Sequence, residues 1–188
     1  MDVKEAINSR RAYRSLEPVE ITQEIINSLV ESARLSPSCF NNQPWRYIFV
    51  TDQKVLEDMH SALSSGNEWA RLSSMIIAVF SKKENDCMIK DREYYLFDTG
   101  MATALIILRA TELGLVAHPI AGFSPKKTRE ILGIPDEMNV ITLVIVGKHS
   151  QNTNTLMTEK QIETEKVRPE RITIDKFVYM NHYLDISK

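Results

Sequence analysis

The stretch Arg92–Gly114, REYYLFDTGMATALIILRATELG, decides how the chain folds. It is the longest helical pattern present, apolar on most of its circumference, and Gly114 stands where helices commonly end on a left-handed residue. A helix of that kind is expected at the centre of a fold, largely buried. Runs of another type flank it. MIIAVF at Met75–Phe80 is a continuous, β-rich stretch suited to a buried strand, and NVITLVIV at Asn139–Val146 is the clearest strand. Strands mixed with helices predict an α/β or α+β fold, and no linker separates a second domain, so residues 1–188 are expected to form one.

Toward the N-terminus, Asp2 and Glu5 have capping-box spacing for a helix with Val3, Ala6 and Ile7. Thr22 caps a second helix striped with Ile25, Ile26, Leu29, Val30 and Ala33, and Ile21 with Ile26 has staple spacing. A polar loop, Ser36–Trp45, leads to a strand at Tyr47–Thr51, and Asp52 caps a helix through Val55, Leu56, Met59 and Leu63. Toward the C-terminus, Leu115–Phe123 reads as a short connecting loop before a helix capped by Ser124, started by Pro125 and stopped by Gly133. Lys148–Lys166 is polar, as functional segments and excursions are. The tail regains apolar character at Ile172, Ile174, Phe177, Val178 and Tyr179 and needs a surface to bury against, for which a partner subunit's sheet edge is one solution.

Composition narrows the function. A net charge of −2 argues against a general nucleic-acid binder. The longest strongly apolar stretch, Met101–Leu108, is far too short to span a bilayer, and the opening MDVKEAINSRRAYR has no signal-peptide core, so the expectation is a cytoplasmic protein with no membrane partner. Cys39 and Cys87 suggest neither a disulfide framework nor a metal cluster. The six glycines spell no dinucleotide-binding fingerprint and no P-loop, so a phosphorylated cofactor would be held mainly by side chains.

Arginine then matters most. Arg10, Arg11 and Arg14 at a helix exit can converge on one oxyanion, or form a solvated basic face. Pro37–Trp45 carries Ser38, Asn41, Asn42 and Gln43 between stiffening prolines, either to read a ring edge or as an ordinary turn. His118–Phe123 has small residues that let a backbone approach a flat ligand, or is a plain loop. No defensible Ser/His/Asp or Cys/His constellation is present. Cys39 has no histidine near it in sequence, His118 reads as a loop residue, and Trp45 and Trp69 read as packing residues with Trp69 close to the rim of a pocket.

Taken together, S-R-R-A-Y-R at Ser9–Arg14, S-P-S-C-F-N-N-Q-P-W-R at Ser36–Arg46, the run from Asp98 to Leu115, P-I-A-G-F at Pro119–Phe123, V-I-V-G-K at Val144–Lys148 and K-V-R-P at Lys166–Pro169 resemble the nitroreductase family of flavoproteins. The resemblance covers nearly the whole chain in order. It implies an α+β, three-layer α/β/α fold with a central, mostly antiparallel sheet, and a C-terminal extension at about 167–188 swapped onto the partner of a homodimer. It implies FMN as cofactor, NADH or NADPH as reductant, and a ping-pong transfer of hydride through flavin N5 to a nitroaromatic, a quinone or a similar small oxidant. Alkene reduction, dehalogenation, flavin fragmentation and a non-enzymatic FMN-binding sensor or carrier share this framework.

By resemblance, Arg10, Arg11, Arg14 and Arg168, with Lys166, fall where the family grips the FMN phosphate, and Gly147 and Lys148 lie near it. Pro37, Ser38, Cys39, Asn41 and Gln43 match the loop reaching the partner's flavin, and Asn67 matches an asparagine near the ribityl chain and pyrimidine edge. Pro119, Ala121 and Gly122 match a wall along the ring, with the Ala121 N–H toward N5. The chain departs from many relatives in having Ala121 where they carry an acid. It also has Ala70 where some place a lysine, which leaves Arg71 as either the cation beside the pyrimidine ring or a surface arginine.

Overall fold

A computed structural model describes residues 1–183, so the last five residues of the expected C-terminal extension lie outside the described part. The sheet is built on β7 (Asn139–His149), paired antiparallel with β3 (Met75–Ser81) on one edge and with β6 (Val116–Ile120) on the other. β2 (Arg46–Val50) continues the sheet beyond β3, and the short β1 (Leu16–Glu17) pairs the end of β7 through Leu16↔His149 and Glu17↔Lys148. Alternate residues of β3 enter different cores: Ile76, Ala78 and Phe80 pack with Leu56, Met59, Trp69 and Leu143, whereas Met75, Ile77 and Val79 pack with Leu29, Ala33, Ala102 and Ile106. A strand covered on both faces reads as a continuous apolar run, which explains MIIAVF.

One face is covered by α2 (Gln23–Arg34) and α4 (Tyr95–Glu112), and the other by α3 (Gln53–Met59) and α5 (Pro125–Leu132), giving the expected α/β/α layers around an antiparallel sheet. The caps hold in detail. The Asp2 carboxylate accepts the Glu5 N–H at 2.8 Å before α1 (Val3–Ser9), Thr22 and Ser124 cap α2 and α5, and Gly133 ends α5 in the left-handed region. α4 stops at Leu113, and the Leu115 N–H reaches back to the Ala110 carbonyl at 2.8 Å while Gly114 takes φ 76°. None of the helices of the described residues is long and apolar enough to cross a membrane.

The structure corrects several expectations. α4 begins at Tyr95, because Arg92–Glu93 (β5) forms a small hairpin with Met88–Ile89 (β4). It is buried along one side only: Asp98, Thr99, Ala102, Thr103, Ile106 and Ala110 are inside, while Leu96 and Phe97 are exposed, Phe97 at 63%. The segment read as a loop after α4 is β6, an edge strand that tolerates Pro119 because its missing N–H costs no ladder bond on the open side. The polar stretch contains α6 (Glu159–Lys166), with a Thr158/Gln161 capping box. The two cysteines, 48 residues apart, are joined in a disulfide with Cα atoms 6.1 Å apart. Spacing could not show this, because the pairing arises when the excursion after β3 folds over the Ser36–Trp45 loop.

Candidate functional site

The clearest site feature is a cavity of about 330 Å³ lined by Arg10, Arg11, Ala12, Arg14, Thr164, Glu165, Arg168, Pro169 and Arg171. Its floor is the turn between α1 and β1, and its wall is the end of α6 with the first tail residues. Burial, with the charges of Arg168, Arg171 and Arg11, holds the Arg10 guanidinium below its ordinary pKa. Glu165 lies among these arginines without neutralising them. Its carboxylate accepts from the Arg14 N–H, from the Ser15 N–H at 3.0 Å and from the Ser15 hydroxyl, and its carbonyl accepts from the Arg11 guanidinium at 2.6 Å. Among the described residues no ion pair includes Arg10, Arg11, Arg14, Arg168 or Arg171. Arg168 is placed by the backbone, donating to the carbonyls of Asn8 and, at 2.9 Å, Arg10. Five guanidinium groups gathered without a carboxylate partner carry an unmet demand for an anion.

A polar and aromatic chain ties this cavity to the ends of two other elements. The Arg14 guanidinium lies 5.9 Å from the Trp69 ring, and Trp69 stacks on His118 at 4.7 Å. His118 is buried in β6, and its Nδ1 donates to the Tyr13 carbonyl at 3.1 Å, because that oxygen can only accept. Burial pushes the His118 pKa down to about 4, so the ring is neutral at pH 7. Among the described residues the buried Trp69 indole N–H has no partner. Asn67 opens the short helical turn that carries Trp69 and donates to the Gly122 carbonyl at 2.9 Å, and Gln161 of α6 donates to the Gly66 carbonyl at 2.7 Å. Gly122 makes room for the Asn67 bond: a Cβ there would lie 2.2 Å from Asn67 Nδ2 and push the Asn67 side chain aside. Ala121 is exposed just past the end of β6.

Thus Arg10, Arg11, Arg14 and Arg168 come together in one cavity, whereas Asn67, Pro119, Ala121 and Gly122 lie outside its lining, on or just beside the turn and strand that carry Trp69 and His118. Other candidate residues do not line that cavity. Lys148 forms an ion pair with Glu17 at 3.1 Å and Gly147 packs against Leu16, both serving the β1–β7 pairing. Lys166 pairs with Glu163, and Arg71 lines a separate groove with His60. Arg171 and Glu165 went unrecognised in the sequence. The Thr158/Gln161 capping box was the available signal that Glu165 belongs to a helix.

Pro37, Ser38, Cys39, Asn41 and Gln43 line no part of the arginine cavity. Their loop is held at the start of α4, where buried Asp98 accepts the Cys39 N–H at 2.6 Å and Ser38 Oγ accepts the Gln43 N–H at 2.9 Å. Phe40, Asn41 and Gln43 have φ of 48°, 59° and 50°. Such conformations cost about 1–3 kcal/mol each away from glycine and persist only when the surroundings impose them.

The Nitroreductase family model matches residues 7–74 and 62–148. A putative NADH dehydrogenase/NAD(P)H nitroreductase of Archaeoglobus fulgidus is 27% identical over 170 residues, covering 88% of this chain and 95% of that protein. A nitroreductase family protein from Clostridium novyi NT shares the fold with a TM-score of 0.75 at 28% identity, over 80% of this chain and 87% of that one. The fold is also that of an oxidoreductase containing FMN, with a TM-score of 0.84 at 23% identity, over 98% and 94% of the two chains. With the family pattern matched from α1 to the end of β7 on a shared architecture, this chain belongs to the nitroreductase family.

Proposed function

We propose that the protein is an FMN-dependent NAD(P)H oxidoreductase acting on nitroaromatics, quinones or similar small oxidants. The observation that carries this reading is the arginine cavity, whose guanidinium groups lack carboxylate partners and suit the dianionic phosphate of FMN. Bound FMN would supply the redox chemistry, accepting hydride from NADH or NADPH and passing the electrons to the oxidant. The chain's own work is binding and shaping. Arg10, Arg11, Arg14 and Arg168 hold the phosphate. Asn67, fixed on the Gly122 carbonyl, and the backbone from Pro119 to Gly122 form one side of the ring site. Neutral His118 holds Trp69 and the Tyr13 carbonyl in register, which fixes the Arg14 turn.

The loop Pro37–Gln43 stands apart from the cavity, and Phe40 on it is 82% exposed. This favours a site completed by a second copy, with that loop reaching the partner's ring and the tail beyond Val167 covering the partner. The exposed Leu96, Phe97, Ile172, Ile174 and Phe177 provide apolar surface for such a dimer.

The test is a spectroscopic titration. Purified protein should bind FMN more tightly than riboflavin, show oxidised flavin bands that bleach with NADH or NADPH, and turn over with a quinone or nitro acceptor. Protein that takes up neither flavin would end the reading, and tight binding without turnover would favour a sensor or carrier.

A further inference from the structure

The chain's only two cysteines meet outside both apolar cores. Cys39 lies in the Pro37–Gln43 loop, and Cys87 lies in the excursion between β3 and α4, beside the β4–β5 hairpin. The excursion is outside the main sheet, so the bond constrains two surface segments rather than the core. Both residues are partly exposed in the single chain. On one side of the bond, Phe40, Asn41 and Gln43 occupy left-handed backbone, and Phe40 has almost no packing to keep it there. The covalent link holds that shape together with the bonds from the Cys39 N–H to Asp98, from the Gln43 N–H to Ser38 Oγ, from Arg46 to the Gln43 carbonyl and from the Asn42 side-chain amide to Asp86.

We infer that the Cys39–Cys87 bond is a thiol–disulfide exchange site for low-molecular-weight thiols and dithiols, and that its opening releases the loop around Phe40 from its strained form. In the exchange, Cys39–S–S–Cys87 and two R–SH become two protein thiols and R–S–S–R. The protein's sulfur–sulfur bond breaks and takes up two electrons and two protons, and the external thiols are oxidised to their disulfide. A carboxylate oxygen of Asp86 lies within 4.8 Å of both sulfurs, and among the described residues buried Asp86 Oδ2 has no hydrogen-bond partner. Asp98, on the Cys39 side, has its carboxyl pKa raised by burial and by the charge of Asp86. The Asp86 carboxylate beside the two sulfurs repels an anionic attacking thiolate and disfavours thiolates after cleavage. A thiol carrying a positive group should therefore react faster than one carrying a sulfonate. The exchange itself stands independently of the flavin reading. Its consequence for turnover, a catalytic loop governed by thiol supply, rests on that reading.

The experiment uses the full chain in native buffer. Protein treated with dithiothreitol is alkylated with iodoacetamide and weighed, and hydrogen exchange is followed in residues 38–43 and 84–90. Both cysteines should be alkylated while the melting transition persists, and amides in 38–43 should exchange roughly tenfold faster, reversibly on reoxidation. Cys87→Ser should show the fast exchange with no reductant, and cysteamine should open the wild-type bond faster than mercaptoethanesulfonate. A bond that opens only in denaturant would overturn the inference. So would unchanged exchange in 38–43 for both reduced wild type and Cys87→Ser, or equal rates with the two thiols. FMN content measured in the same samples separates the two ideas, since absent flavin with a released loop counts against the proposed function alone.

Discussion

Arg14 is held at three points, by Glu165 on its N–H, by Trp69 beneath its guanidinium and by the His118 contact to its neighbour Tyr13. A side chain so fixed loses little freedom on binding an anion. Arg14→Ala should weaken FMN about ten- to hundredfold, the equivalent of one charge-assisted contact of ~1.5–3 kcal/mol, measured by fluorescence titration. Riboflavin affinity should change far less. His118 gives a pH prediction. Its pKa falls from 6.5 to about 4 on folding, so the unfolded chain binds the proton first as pH drops. Its stabilising contribution is complete above pH ~6.5 and is lost as pH falls toward 4, on the order of 3 kcal/mol in total. Denaturant unfolding at pH 7 and 4.5 should show this slope, and His118→Gln should flatten it. At Gly122, an alanine would press on Asn67 Nδ2 and break the bond to the Gly122 carbonyl. Gly122→Ala should cost about 1 kcal/mol in wild type and much less beside Asn67→Ala. The arginine triad was visible in the sequence as charges three and four apart at a helix exit, a pattern that a solvated face shares, and the cavity is what distinguishes the two. Glu165 was not, since its role depends on which backbone it reaches 150 residues away.

At the scale of elements, the caps and terminal glycines placed most helices, because those signals act within four or five residues. β6 escaped because a histidine and a proline interrupt its apolar character, and only pairing with β7 makes it a strand. The polar stretch after β7 gains its meaning from α6, which docks through Gln161 onto the Gly66 carbonyl and through the Glu165 carboxylate onto the Arg14 and Ser15 N–H groups and the Ser15 hydroxyl. Glu165→Ala should leave these donors unpaired, destabilise the α6 dock by ~2–4 kcal/mol and raise hydrogen exchange in residues 159–166 while the sheet stays protected. FMN affinity should fall with it, because α6 carries the cavity wall. Unaltered exchange in α6 would show that the helix is held by something else.

The whole molecule presents an arginine cavity on one region and a strained, disulfide-linked loop on another, with an apolar tail lying exposed between Val167 and Tyr183. Truncation after Lys166 removes Arg168 and Arg171 together with that tail. The proposed outcome is a shift from dimer to monomer by light scattering and a loss of FMN retention on dilution, with the sheet still folded. A truncated dimer that holds flavin would contradict both the tail's role and the share of the site given to Arg168. By itself the amino-acid order determined the mixture of strands and helices, since apolar periodicity and caps are local signals summed along the chain. It also carried the family likeness and the arginines at the helix exit. Only the tertiary structure decided which arginines share one cavity, that the Glu165 carboxylate serves the Arg14 and Ser15 N–H groups and the Ser15 hydroxyl, that Asn67 bonds the Gly122 carbonyl, and that Cys39 meets Cys87. Each of those depends on how distant segments approach one another, and an approach made by packing leaves no spacing to read.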